Sequence, residues 1–99
     1  MEFGWDESKR QAVLADRNID FADMTLAFDG RLRITVNSPR NNEDRRVSIA
    51  NINGRFHAVI WMLRGSRVWI ITARRAWARE ERQFNEVIRS LGGRDNGQH

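Results

Sequence analysis

Phe56 to Arg74 reads FHAVIWMLRGSRVWIITAR, two apolar runs, Phe56–Arg64 and Arg67–Arg74, joined by Gly65-Ser66. A Gly-Ser pair between β-branched and aromatic residues marks a two-residue β-hairpin loop, because glycine accepts the positive φ that such a turn needs. Pairing across that loop sets Arg64 against Arg67, Met62 against Trp69 and His57 against Arg74. Alternation then places Leu63, Trp61, Val59, Val68 and Ile70 on one face and Met62, Ile60, Trp69 and Ile71 on the other. Strands that are apolar on both faces belong in the middle of a sheet covered on both sides.

Working outward, Arg45–Asn51 reads as the preceding strand, with Asn53-Gly54 as the turn into the hairpin. Residues 31–37 alternate polar with apolar and supply another strand, closed by Ser38-Pro39 and a polar loop to Asp44. The sheet is therefore expected to be antiparallel with about four strands. Residues 6–17 open with acids and hold no Gly or Pro, which predicts a first helix, with Trp5 docking in the core just before it. Phe21, Met24 and Phe28 predict a second short helix ending before Asp29-Gly30, and Asn18 suits a left-handed turn between the two. These helices would cover one face.

From Ala76 to Leu91, Trp77, Phe84, Val87 and Leu91 fall at a and d spacing and predict a third helix that covers the other face. Gly92-Gly93 is expected to end it, leaving a polar, flexible tail. The reading is an α+β chain with one domain over residues 1–91 and a tail over 92–99.

Composition limits the chemistry. At 99 residues, 40% apolar and 30% charged, the chain suits one soluble domain. Its longest apolar run, Ala58 to Leu63, is far short of the roughly 20 residues that span a bilayer. No basic-then-apolar leader opens the sequence, so the cytoplasm is the expected location. Without cysteine there is no disulfide, thiolate metal site or thiol nucleophile, and with only His57 and His99 as imidazoles neither a metal nor another cofactor is expected. Gly-rich phosphate loops and a Ser-His-Asp order are absent, which sets aside NTPases and triad hydrolases. No helix-turn-helix spacing favours direct binding of duplex DNA.

Charge is divided along the chain. Residues 1–29 carry three basic and seven acidic side chains, net −4, whereas residues 30–99 carry fourteen and six, net +8. Of the 17 basic residues only Lys9 is a lysine, and arginine's fork suits phosphate or carboxylate. Arginines at 64, 67, 74, 75, 79 and 82, interleaved with Trp69 and Trp77, form the kind of pattern that binds single-stranded RNA. A plainer reading makes both tryptophans core residues and the arginines solvated. Glu80 shares the apolar stripe of the third helix, and a buried carboxylate needs a cationic partner, which Arg74, Arg75 and Arg79 can supply. His57 is either structural or a general acid or base beside Arg74.

Trp5-Asp6-Glu7-Ser8-Lys9, Ile19-Asp20-Phe21 and Phe28-Asp29 resemble the opening of the BrnT toxin family. Arg45-Arg46-Val47-Ser48-Ile49 resembles the family's Arg-x-Val-x-Ile-Gly strand. Arg64-Gly65 with Ile70-Ile71-Thr72-Ala73-Arg74-Arg75-Ala76 resembles its RG and IISARRA block, with Glu80 and Phe84 where the family has Glu and Tyr. The resemblance implies a RelE-like fold and a ribonuclease toxin of a type II toxin–antitoxin system that arrests bacterial growth. It also implies a BrnA-like antitoxin partner, with operator DNA bound only through the complex. On this basis Arg64 and Arg74 are expected to hold phosphate and transition-state charge, with Glu80 as general base or as the group orienting Arg74. Arg45, Arg67 and Arg75 are expected to contact the RNA backbone. Where the family has Asn and then Lys-His-Gly in the first helix, this chain has Val13 and Asp16-Arg17-Asn18; Ala50, Met62 and Phe84 replace Gly, Thr and Tyr. Loss of the family's His and Tyr leaves an alternative: a module that binds an antitoxin or RNA without cutting.

Overall fold

A computed structural model describes residues 1–96, with side chains to residue 92. Strand β1 (Glu2–Trp5) leads into α1 (Glu7–Arg17), α2 (Phe21–Met24) and a 3-10 turn (Thr25–Phe28). Strands β2 (Ile34–Asn37), β3 (Arg46–Ile52), β4 (Arg55–Arg64) and β5 (Arg67–Arg75) follow, and α3 (Ala78–Asn96) closes the chain. The sheet order is β1-β5-β4-β3-β2. No described helix is long and apolar enough to cross a membrane.

Local chemistry sets the breaks. Asp6 caps α1 by accepting from the backbone N–H groups of Ser8 and Lys9, and Asn18 ends it at φ 57°. Asp20 caps α2 and is gripped at both carboxylate oxygens by Arg10, at 2.8 and 3.0 Å, which ties α1 to α2. Asn53 and Gly54, at φ 55° and 85°, turn β3 into β4, and Gly65 at φ 61° turns β4 into β5.

One face of the sheet packs Ala50, Ile52, Val59, Trp61, Val68, Ile70 and Ala73 against Val13, Phe21, Met24 and Phe28 of the N-terminal helices. On the other face Phe84 of α3 covers Ile49 and Ala58, with Phe56 edge-on to it at 4.9 Å.

The structure corrects several expectations. The sheet has five strands and is mixed, because β1 pairs in parallel with β5 from Glu2↔Arg67 to Trp5↔Ile70. Phe3 and Trp5 thus reach the core as alternate residues of an edge strand. The hairpin holds its expected register only to Trp61↔Ile70; the next pair is Ile60↔Thr72, so Ile71 is an extra, bulged residue. A one-residue insertion exchanges the faces of everything beyond it. Ala73 therefore lies under α1 and α2, Arg74 pairs with Ala58 on the α3 face, and His57 faces Arg75 rather than Arg74. The second helix is a short α segment followed by a 3-10 turn, in place of continuous helix to Phe28.

The heptad stripe of α3 is not buried as a whole. Phe84 is enclosed, but Trp77, Val87 and Leu91 are exposed, because spacing defines a helix face without guaranteeing that a sheet lies beneath it. Nor does the helix stop at Gly92-Gly93; it continues through both glycines to Asn96, since a glycine weakens a helix by about 1 kcal/mol without removing its hydrogen bonds. Residues 97–99 of the expected tail lie outside the described residues.

Candidate functional site

Helix α3 begins beside the end of β5, and that junction assembles the site. Glu80, in the first turn, accepts from the backbone N–H of Trp77 at 2.8 Å, one half of a capping box. The same carboxylate receives both terminal nitrogens of Arg74, at 2.9 and 3.1 Å. A forked pair of this kind fixes both planes. The Glu80 side chain is 13% exposed and that of Arg74 22%. Burial alone would raise the Glu80 carboxyl, but the Arg74 and Trp77 hydrogen bonds and the charges of Arg74 and Arg79 outweigh it and hold the group below its ordinary range.

Trp77 is a surface residue, not a core one. It is 49% exposed, with the Arg74 guanidinium 3.6 Å and the Arg79 guanidinium 4.6 Å from its ring centroid. Next to it a groove of about 290 Å³ crosses the sheet. Val47, Ile60 and Thr72, direct neighbours across β3, β4 and β5, line it together with Arg17, Arg40, Arg45 and Arg74.

Arg45 thus reaches the same groove as Arg74, held there by Glu43 at 2.7 Å. Arg64 and Arg67 do not. They pair across the hairpin turn, six residues along β4 from Ala58, the partner of Arg74; at the rise of a strand that is roughly 20 Å. Arg64 stacks on Trp69 at 4.0 Å, and Arg67 lies 3.6 Å from Glu2. Half-buried Trp69 packs against β1, where any side chain at Gly4 would collide with its ring at 2.8 Å. The bulge sends Arg75 to the opposite face, beside His57.

Two groove residues escaped sequence reasoning. Arg17 donates to the carbonyl of Ala73 at 2.8 Å, occupying the β5 edge left open where β1 pairing stops at Ile70. Its signal was available, since in the resemblance described above it takes the place of a histidine. Arg40, in the polar loop, carried no signal beyond its charge.

Among the described residues, no three or more His, Cys, Asp or Glu side chains are grouped to hold a metal. The arrangement offers guanidinium groups and an exposed indole around a concavity, which is chemistry for binding a phosphodiester and stacking a base. A search of curated proteins returns no match. The family model for the ribonuclease toxin BrnT of type II toxin–antitoxin systems matches residues 5–80, a span that holds both partners of the Arg74–Glu80 pair. The chain belongs to the BrnT family of type II toxin–antitoxin ribonuclease toxins.

Proposed function

We propose that this chain is a metal-independent endoribonuclease that cuts RNA at the Arg74 groove and arrests growth until a BrnA-like antitoxin binds it. The observation that carries this reading is the orientation of Arg74: fixed by Glu80, stacked on Trp77 and lining a groove with Arg17, Arg40 and Arg45. In the proposed reaction the 2′-oxygen attacks the adjacent phosphorus, the 5′-oxygen leaves, and a 2′,3′-cyclic phosphate forms. A proton leaves the 2′-oxygen and one reaches the departing oxygen. Negative charge grows on the nonbridging oxygens, and preoriented guanidinium groups stabilise it.

Glu80 acts in this scheme as a positioning residue. A carboxylate already engaged by Arg74 and Trp77, with its pKa held down, is a poor proton acceptor. Arg74 carries transition-state charge, Arg17 and Arg45 contact the backbone, and Trp77 stacks a base. Arg64 and Arg67 contact the strand further along the basic face, removed from the reacting phosphate.

The second reading, a module that binds RNA or antitoxin without cutting, is favoured by the absence of an imidazole from the groove lining among the described residues. Incubating the purified chain with end-labelled RNA, with and without a chelator, separates the two. Products that are unchanged by chelator support the nuclease, whereas retention of intact RNA supports the binder.

A further inference from the structure

The opposite face of β5 holds another concavity. A cavity of about 390 Å³ opens between the α1–α2 junction and the β3–β4 turn, with Arg17, Asp23, Asn53, Arg55, His57 and Arg75 in its lining. Arg55 and Arg75 form no ion pair among the described residues, and the contact of Arg17 with Asp16, at 3.8 Å, is long. Asp20, also in the wall, is already neutralised by Arg10. Against three guanidinium groups the cavity therefore sets one further carboxylate, Asp23, and its balance favours an anion.

His57 adds a directional group. Its Nδ1 lies 2.9 Å from the carbonyl oxygen of Arg55, which can only accept, so Nδ1 carries the hydrogen and Nε2 a lone pair. Burial, joined by the charges of Arg75 and Arg55, outweighs the Arg55 carbonyl and Asp23 and keeps the ring below the ordinary histidine range, hence neutral at pH 7. Nε2 has no partner among the described residues, and none of their buried side-chain nitrogens or oxygens is left unsatisfied, so this atom holds part of the small exposure, 8%, that the residue keeps toward the cavity it lines.

Arg17 connects the two concavities. It lines both, and it is fixed to Ala73, after which Arg74 and Arg75 point to opposite faces. We propose that the His57 cavity is a second phosphate subsite for the same RNA strand. The strand rounds the open edge of β5 beside Arg17, with one phosphate in the Arg74 groove and a neighbouring one held by Arg55 and Arg75. Nε2 of His57 accepts a hydroxyl or amino hydrogen from the nucleotide that carries the second phosphate. This rests on the ribonuclease reading of the Arg74 groove and extends it to a substrate longer than the scissile dinucleotide.

The test is fluorescence anisotropy of the full chain with an uncleavable 2′-O-methyl hexanucleotide over a range of salt. The wild type is compared with a double Arg55→Gln, Arg75→Gln variant, whose melting temperature checks the fold. The expected result is about a tenfold loss of hexanucleotide affinity, with a log–log salt slope shallower by about 0.7 for each phosphate that the variant no longer neutralises. Unchanged affinity and slope in the folded variant overturn the subsite alone. Loss of binding to a nucleoside monophosphate or to inorganic phosphate, with hexanucleotide binding intact, also overturns it, by making the cavity a site for a free small anion. Failure of the wild type to bind the hexanucleotide overturns the ribonuclease reading and the subsite with it.

Discussion

The guanidinium of Arg74 lies 3.6 Å from the centroid of the Trp77 indole while Glu80 holds its edge at 2.9 and 3.1 Å. One arginine is thus fixed in plane and in direction by residues three and six positions later. The bulge at Ile71 makes this geometry possible, because without it Arg74 would share a face with Val68 and Ile70.

Replacing Glu80 with Gln keeps the shape of the side chain and removes its charge. The expected cost is about 1–2 kcal/mol at neutral pH, between the values for exposed and buried pairs. Because the folded carboxyl sits below its ordinary value of 4.5, its contribution is fully present above that pH and is lost as pH falls through the lower folded value. Thermal melts from pH 7 down to pH 2 should show the gap between wild type and Glu80→Gln closing on the acid side. A gap of constant size would contradict the pairing.

Trp77→Ala should weaken RNA binding by about 1–3 kcal/mol, the usual value of one base–aromatic stack. Since the ring is 49% exposed, stability should change by less than about 1 kcal/mol. Anisotropy with uncleavable RNA, alongside a melt, measures both. A large loss of stability with unchanged affinity would make the indole structural.

Ser48 is fully buried and joins Trp61 Nε1, at 2.8 Å, to Thr35 Oγ1, at 2.7 Å. Ser48→Ala leaves the indole N–H without an acceptor and should cost about 1–3 kcal/mol. Its partner Trp61 belongs to the face under α1 and α2, away from the groove, so RNA cleavage by the folded fraction should match wild type. Chemical denaturation and a cleavage assay together check this.

Phe84→Ala should cost about 3–4 kcal/mol, because the ring is enclosed between the sheet and Phe56. Leu91→Ala, at a 47% exposed position, should cost less than about 1 kcal/mol in the isolated chain. Equal costs in urea melts would show that the whole heptad stripe is covered.

Turns were the most legible part of the fold because their chemistry is local. Asn18, Asn53, Gly54 and Gly65 each take the positive φ that their side chains, or lack of one, permit. Strand β1 was not legible: four residues make too short a pattern, and its partner is β5, more than sixty positions away. The bulge was hidden because Ile71 looks like its neighbours, and only the pairing of two strands reveals that one residue is extra. Within the site, Arg74 and Glu80 could be brought together from sequence, since an acid on an apolar stripe demands a cation. The separation of Arg64 from them depends on distance along β4, and the division of Arg74 from Arg75 depends on the bulge.

RNA cleavage by this protein is expected to depend on Arg74. The most direct measurement is the single-turnover rate of cleavage of end-labelled RNA by wild type and Arg74→Ala in the presence of chelator, with circular dichroism confirming that the variant folds. A fall of about 100-fold or more, the usual effect of losing one transition-state donor, is predicted. A folded Arg74→Ala protein that cuts RNA at the wild-type rate would contradict the account.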